Sequence, residues 1–116
     1  METIERYNDF KAFIASQFSE KTQHMVDAAL CFAERELRGR SRYDASPMLD
    51  HGVAVARIVA SEVGLGSNST IAAIVHDVVR IATQHHPERL EEYSTTIRRD
   101  YGEAVLGITL APCKIS

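Results

Sequence analysis

Apolar residues recur at spacings of three and four along most of the chain, and no stretch alternates convincingly as a strand would. The first such pattern runs from Ile4 to Phe18 and places Tyr7, Phe10, Phe13, Ile14 and Phe18 on one stripe. It predicts an amphipathic helix with its aromatics in the core; a docking face for a partner helix is the other use of such a stripe. After a break at Ser19 to Lys21, Ser19 or Thr22 can cap a second helix. Its inward positions are Met25, Val26, Ala29, Leu30, Phe32 and Ala33, and Gly39 suits its C-terminal end. The following RGRSRYDASP is polar and predicts a loop; the arginines from Arg35 to Arg42 read first as a solvated face.

Ser46-Pro47 predicts the start of a third helix, with serine as N-cap and proline at the first helical position. It should run to Val63 and end at Gly64, with His51, Val55, Ile58, Val59 and Glu62 forming an inward stripe. Gly64 to Ser69 predicts a turn, with Asn68 or Ser69 capping the next helix. The stretch STIAAIVHDVVRIAT, Ser69 to Thr83, is apolar nearly all round and predicts the buried central helix. Gln84 to Pro87 breaks it. Pro87 opens a polar helix with Leu90, Tyr93, Ile97 and Tyr101 inward, Gly102 punctuates, and a short last helix is stopped by Pro112. The expectation is an all-α bundle of about six helices, in a single domain over residues 1–116.

Composition narrows the function classes. A hydrophobic fraction of 45%, a charged fraction of 25% and a net charge of −3 are ordinary globular values and offer no broad basic surface for nucleic acid. No apolar run approaches the ~18–20 residues of a membrane span, and the charged start has no signal-peptide core, so a soluble cytoplasmic protein is expected. Cys31 and Cys113 lack any metal-ligand spacing and read as reduced packing thiols.

His76-Asp77 is the feature that composition does not explain. Ionisable groups between Ile74, Val75, Val78 and Val79 are costly to bury unless something pairs with them. A self-paired or surface couple is the plain solution. A metal is the sharper one, because His51 on the preceding helix supplies a third donor, and a short connection brings the two helices side by side. His, His and Asp suit divalent manganese, iron or zinc, with positions left for water or a phosphate oxygen. Of the remaining candidates, Asp100 and the loop histidines have no spacing that favours ligation.

His51 followed by His76-Asp77 on consecutive helices resembles the HD superfamily of metal-dependent phosphohydrolases. The match is closer to the N-terminal hydrolase domain of the RelA/SpoT family, which degrades the alarmone guanosine tetraphosphate, ppGpp. Arg42, Pro47, His51, Val53 to Ala56, Thr70 to Ala73, His76 to Val79 and Tyr101 to Val105 follow the family's pattern in order. The resemblance implies that His51, His76 and Asp77 hold a manganese ion, that Arg42 stacks on the guanine base, and that the reaction is hydrolysis of a 3'-pyrophosphate.

The departures point the other way. Where active members of that family carry a Glu-Asp pair, this chain has Arg80 and Ile81. Ile81 cannot accept a proton, which removes an acid-base contribution typically worth about 10²–10⁴-fold. Arg80 lies on the helical face of His76 and Asp77, where it can pair with Asp77 or face the metal. At an assumed ~5 Å and an effective dielectric of about 20, a guanidinium and a doubly charged ion repel by roughly 6 kcal/mol before screening. The family's fourth ligand, a later aspartate, and its nucleotide synthetase domain have no counterpart before Ser116, so the chain reads as a piece of a longer protein. The expectation is a hydrolytically degenerate, regulatory domain with weakened manganese binding. A working hydrolase and a helical interaction module, with self-association open to either, are the alternatives.

Overall fold

The computed structural model describes residues 6–62 and 66–115, with side chains to residue 111, and among these residues it forms six α-helices and no strand. They are α1 (Asn8–Gln17), α2 (Glu20–Leu37), α3 (Met48–Ser61), α4 (Ser67–His85), α5 (Leu90–Tyr101) and α6 (Glu103–Ile115). The all-α expectation holds. Helix α4 is the centre: it packs against α2, α3, α5 and α6, while α1 lies across α2 and α3. Its burial follows from its sequence, since Ile71, Ala72, Ile74, Val75, Val78, Val79, Ile81 and Ala82 cover nearly its whole circumference and all are buried.

One cap and two glycine stops fall where the sequence places them. Ser19 is the N-cap of α2, its Oγ accepting from the Thr22 N–H at 3.3 Å. Gly39 (φ 81°) and Gly102 (φ 100°) take left-handed backbone after α2 and α5, a region that costs glycine nothing because it has no Cβ. The aromatic stripe of α1 is core: Tyr7, Phe10 and Ile14 are buried, with Phe13 and Phe18 packed against them.

Several expectations are corrected. Ser46 does not cap α3, which starts at Met48 after Pro47; the Ser46 N–H and Oγ instead donate to Asp44 Oδ1 at 3.0 and 2.6 Å. Helix α4 starts at Ser67 after Gly66, without a side-chain cap from Asn68 or Ser69. A 3₁₀ turn, Pro87–Arg89, precedes α5. Helix α6 continues through Pro112 to Ile115, since the proline's fixed φ is already helical and only one backbone donor is lost. The predicted Val63–Gly64 end of α3 lies outside the described residues. Cys31 is exposed on α2 and is no packing thiol; the Cys113 side chain lies outside the described ones.

The inward face of α3 is also rotated from the expected one. Gly52, Val53, Ala56 and Ala60 are buried, whereas Ile58 is 62% exposed and His51 and Glu62 face solvent. Gly52, Ala56 and Ala60 recur every four residues, and these small side chains let α3 lie close to α4; the larger aliphatics are left at the edges of the contact.

Across the bundle, Tyr93 of α5 donates its hydroxyl to Glu36 Oε1 of α2 at 2.6 Å. Burial pushes the Glu36 carboxyl up, but hydrogen bonds from Tyr93 and Arg35 and the charge of Arg89 outweigh it and hold the group below the ordinary carboxylate value. Burial and the same carboxylate push the Tyr93 hydroxyl up to about 12. Tyr93→Phe should cost about 1 kcal/mol in urea unfolding. A depressed carboxyl stabilises the fold above its unfolded pKa and loses that effect as the pH falls through its folded one. The stability advantage of the native chain over Glu36→Gln should therefore shrink as the pH drops below 4.5.

Candidate metal centre

Helices α3, α4 and α6 do not close completely, and the space between them is a cleft of about 380 Å³. Its walls are Gly52, Val55 and Val59 from α3, Ala72 and Ala73 from α4, and Ile108 from α6. His51, His76 and Asp77 line the same cleft, so the structure brings the three expected donors to one place. The stripe of His51, Val55 and Val59 is thus real, but it borders a cleft and not the core.

Their chemistry here is set by Arg80. Asp77 is the buried member, with its side chain 8% exposed, and Arg80 Nε donates to its Oδ1 at 2.9 Å. The guanidinium is fixed on two further sides, by Gln84 Oε1 at 3.3 Å and Met48 Sδ at 3.6 Å. Of the two roles open to Arg80, pairing with Asp77 is the one adopted. One carboxylate oxygen that a cation would use is therefore already engaged by a fixed positive charge. Among the described residues, no three His, Cys, Asp or Glu side chains are grouped so as to hold a metal ion. As arranged, these residues do not fit a divalent metal.

The other expected site residues lie elsewhere. Ile81 is buried and borders a separate cavity of about 110 Å³ with Glu36, Arg40, His86 and Tyr93. Arg42 is absent from the cleft's lining; it sits in the α2–α3 loop with its guanidinium carbon 5.6 Å from the Tyr43 ring centroid. Asp100 pairs with Arg99 at 2.9 Å and borders a groove with Glu20 and His24. His85 and His86 are exposed, and His86 Nε2 meets Arg40 Nη2 at 3.2 Å.

Beside His51, the structure adds a cluster that sequence reasoning missed. Asp50 Oδ1 accepts from Arg6 Nη2 at 2.9 Å and from the Tyr7 hydroxyl, tying the start of the described chain to the first turn of α3. Burial, and then the bond to Asp50, push the Tyr7 hydroxyl well above its ordinary value, so it stays a donor. A carboxylate in a helix's first turn is also favoured by the helix dipole. No local pattern announces this contact, because its partners are 43 and 44 positions apart.

No curated protein and no solved structure matches the chain. A family model described as an HD domain matches residues 29–114, from the middle of α2 to the end of α6, and so includes every residue that borders the cleft. The His51 and His76-Asp77 pattern, the helical bundle that brings them together and this match agree: the chain belongs to the HD domain family.

Proposed function

We propose that this HD domain is a hydrolytically degenerate relative of the RelA/SpoT alarmone hydrolases, acting as a regulatory module and not as an enzyme. The observation that carries the reading is the 2.9 Å bond from Arg80 Nε to Asp77 Oδ1. It puts a side-chain cation on the carboxylate that a metal-dependent hydrolase gives to its ion, and Ile81 adds no proton acceptor. The RelA/SpoT part rests on HDVV with upstream Arg42 and downstream YGEAV. Arg42 is the residue that reading assigns to the guanine base, and a nucleotide would reach it from the α2–α3 loop.

Two measurements on the purified chain test this. Manganese should leave the melting temperature unchanged, because a ligand that binds only the native state would raise it by mass action. Incubation with ppGpp and manganese should release no pyrophosphate. Manganese-dependent pyrophosphate release would overturn the proposal. A second reading, a working hydrolase, is favoured by one observation: His51, His76 and Asp77 border the same cleft. In that reading Arg80 leaves Asp77, and the three residues take the ion.

A further inference from the structure

We propose that the cleft between α3, α4 and α6 binds an aliphatic monocarboxylate, its chain along the α3–α6 walls and its head at His51 and His76. The inference rests on the degenerate reading above, since a bound metal would claim both imidazoles.

The walls decide the body of the ligand. Val55, Val59, Ala72, Ala73 and Ile108 are aliphatic, and no phenylalanine, tyrosine, tryptophan or arginine is among the lining residues. A nucleobase would find only the two imidazoles to stack on, whereas an alkyl chain gains along the whole wall simply by leaving water. The volume of about 380 Å³ falls in the range of small-molecule sites. Since an apolar cavity of roughly 150 Å³ holds one benzene ring, a ligand of about twelve heavy atoms fits a half-open cleft of this size.

The polar residues decide the head. Neither His51 nor His76 has a hydrogen-bond or ion-pair partner among the described residues. A neutral imidazole always carries one N–H, so each can offer a donor, and a carboxylate has two oxygens to receive them. Asp77 would ordinarily repel such a head, but its charge is balanced by Arg80 at 2.9 Å. Of the two lining hydroxyl residues, Thr109 donates its Oγ1 proton to the Val105 carbonyl at 2.8 Å, and Ser69 lies in the first turn of α4, about two turns from His76.

The test is titration of the full chain with decanoate, followed by calorimetry and by NMR shifts of the His51 and His76 rings, with no added metal. Saturable binding that shifts both rings is expected. His51→Ala and His76→Ala should each weaken it about fivefold, the effect of one net hydrogen bond. Val59→Trp should abolish it by filling the cleft, and Ile108→Trp, at the more exposed edge, does the same should the first variant fail to fold. Absent or non-saturable binding, or binding that both tryptophan variants leave intact, overturns the proposal. So does concentration-dependent dimerisation that either tryptophan variant abolishes, which would make a second copy the occupant. Parallel ppGpp assays separate the two claims: pyrophosphate release removes the degenerate reading, while inactivity without decanoate binding removes this inference alone.

Discussion

Replacing Arg80 with methionine should lower stability by about 2–4 kcal/mol at neutral pH, among the largest single effects expected in this chain. Asp77 is almost wholly buried, at 8% side-chain exposure, and loses the charged partner that Arg80 provides. Arg80 is 34% exposed, so water reaches part of the pair and the cost stays below that of a fully buried one. The cause is the charge left behind, not the lost contact. Asp77→Asn combined with Arg80→Met should therefore recover most of the loss, because no buried carboxylate then lacks a partner. Urea unfolding of the two single variants and the double one measures the coupling directly. Equal stability of the native chain and Arg80→Met would show that the pair does not hold Asp77.

The same variant reports on the metal. With the guanidinium gone, the repulsion of roughly 6 kcal/mol between a fixed cation and a divalent ion disappears. Manganese should then stabilise Arg80→Met while leaving the native chain unmoved. No stabilisation of either would mean that His51, His76 and Asp77 are not arranged to hold an ion even when freed. Ile81 is not part of this contest. It is buried on the side of α4 facing α2 and α5, so Ile81→Asp should destabilise the fold without adding a ligand to the cleft.

What the sequence revealed about this molecule was mostly what neighbouring residues decide. The α1 aromatics, the Ser19 cap and the left-handed glycines at 39 and 102 are local chemistry, and the apolar circumference of α4 predicted its burial. The convergence of His51 with His76-Asp77 was legible too, through the short connection between their helices. Long-range partners were not. The contacts of Asp50 with Arg6 and Tyr7, and of Glu36 with Tyr93, join residues more than 40 positions apart, and nothing local selects them. Ser46 failed as a cap because its side chain is tied to Asp44, two residues away, and does not accept from the first N–H groups of α3. The face of α3 was misread for a more general reason. Ranking by hydrophobicity puts Ile58 inside and Gly52 nowhere in particular, but two helices meet where backbones can approach, and small residues permit that.

At Gly52 that approach is close, and filling it should have the second large effect. A Cβ at Gly52 would lie 3.3 Å from the Ala73 carbonyl oxygen and 3.6 Å from that of Ile74, both fixed in the backbone of α4. For Gly52→Ala, the crowding is offset by the helix propensity gained, about 1 kcal/mol, so a small net change is expected. Gly52→Leu has no such balance. Its branched end must displace α4 or bend α3, which should cost about 2–3 kcal/mol in urea unfolding. The consequence reaches the cleft, because His51 precedes Gly52 and His76 lies one turn beyond Ala73 on the opposing helix. Driving α3 and α4 apart separates the two imidazoles, so Gly52→Leu should weaken any ligand or ion that needs both while leaving the far walls at Val59 and Ile108 in place. If Gly52→Leu matched the native chain in stability, the helices would have to stand further apart than 3.3 Å contacts allow. Loss of stability together with loss of paired His51 and His76 shifts on titration would identify the glycine as the spacer that sets the geometry of the site.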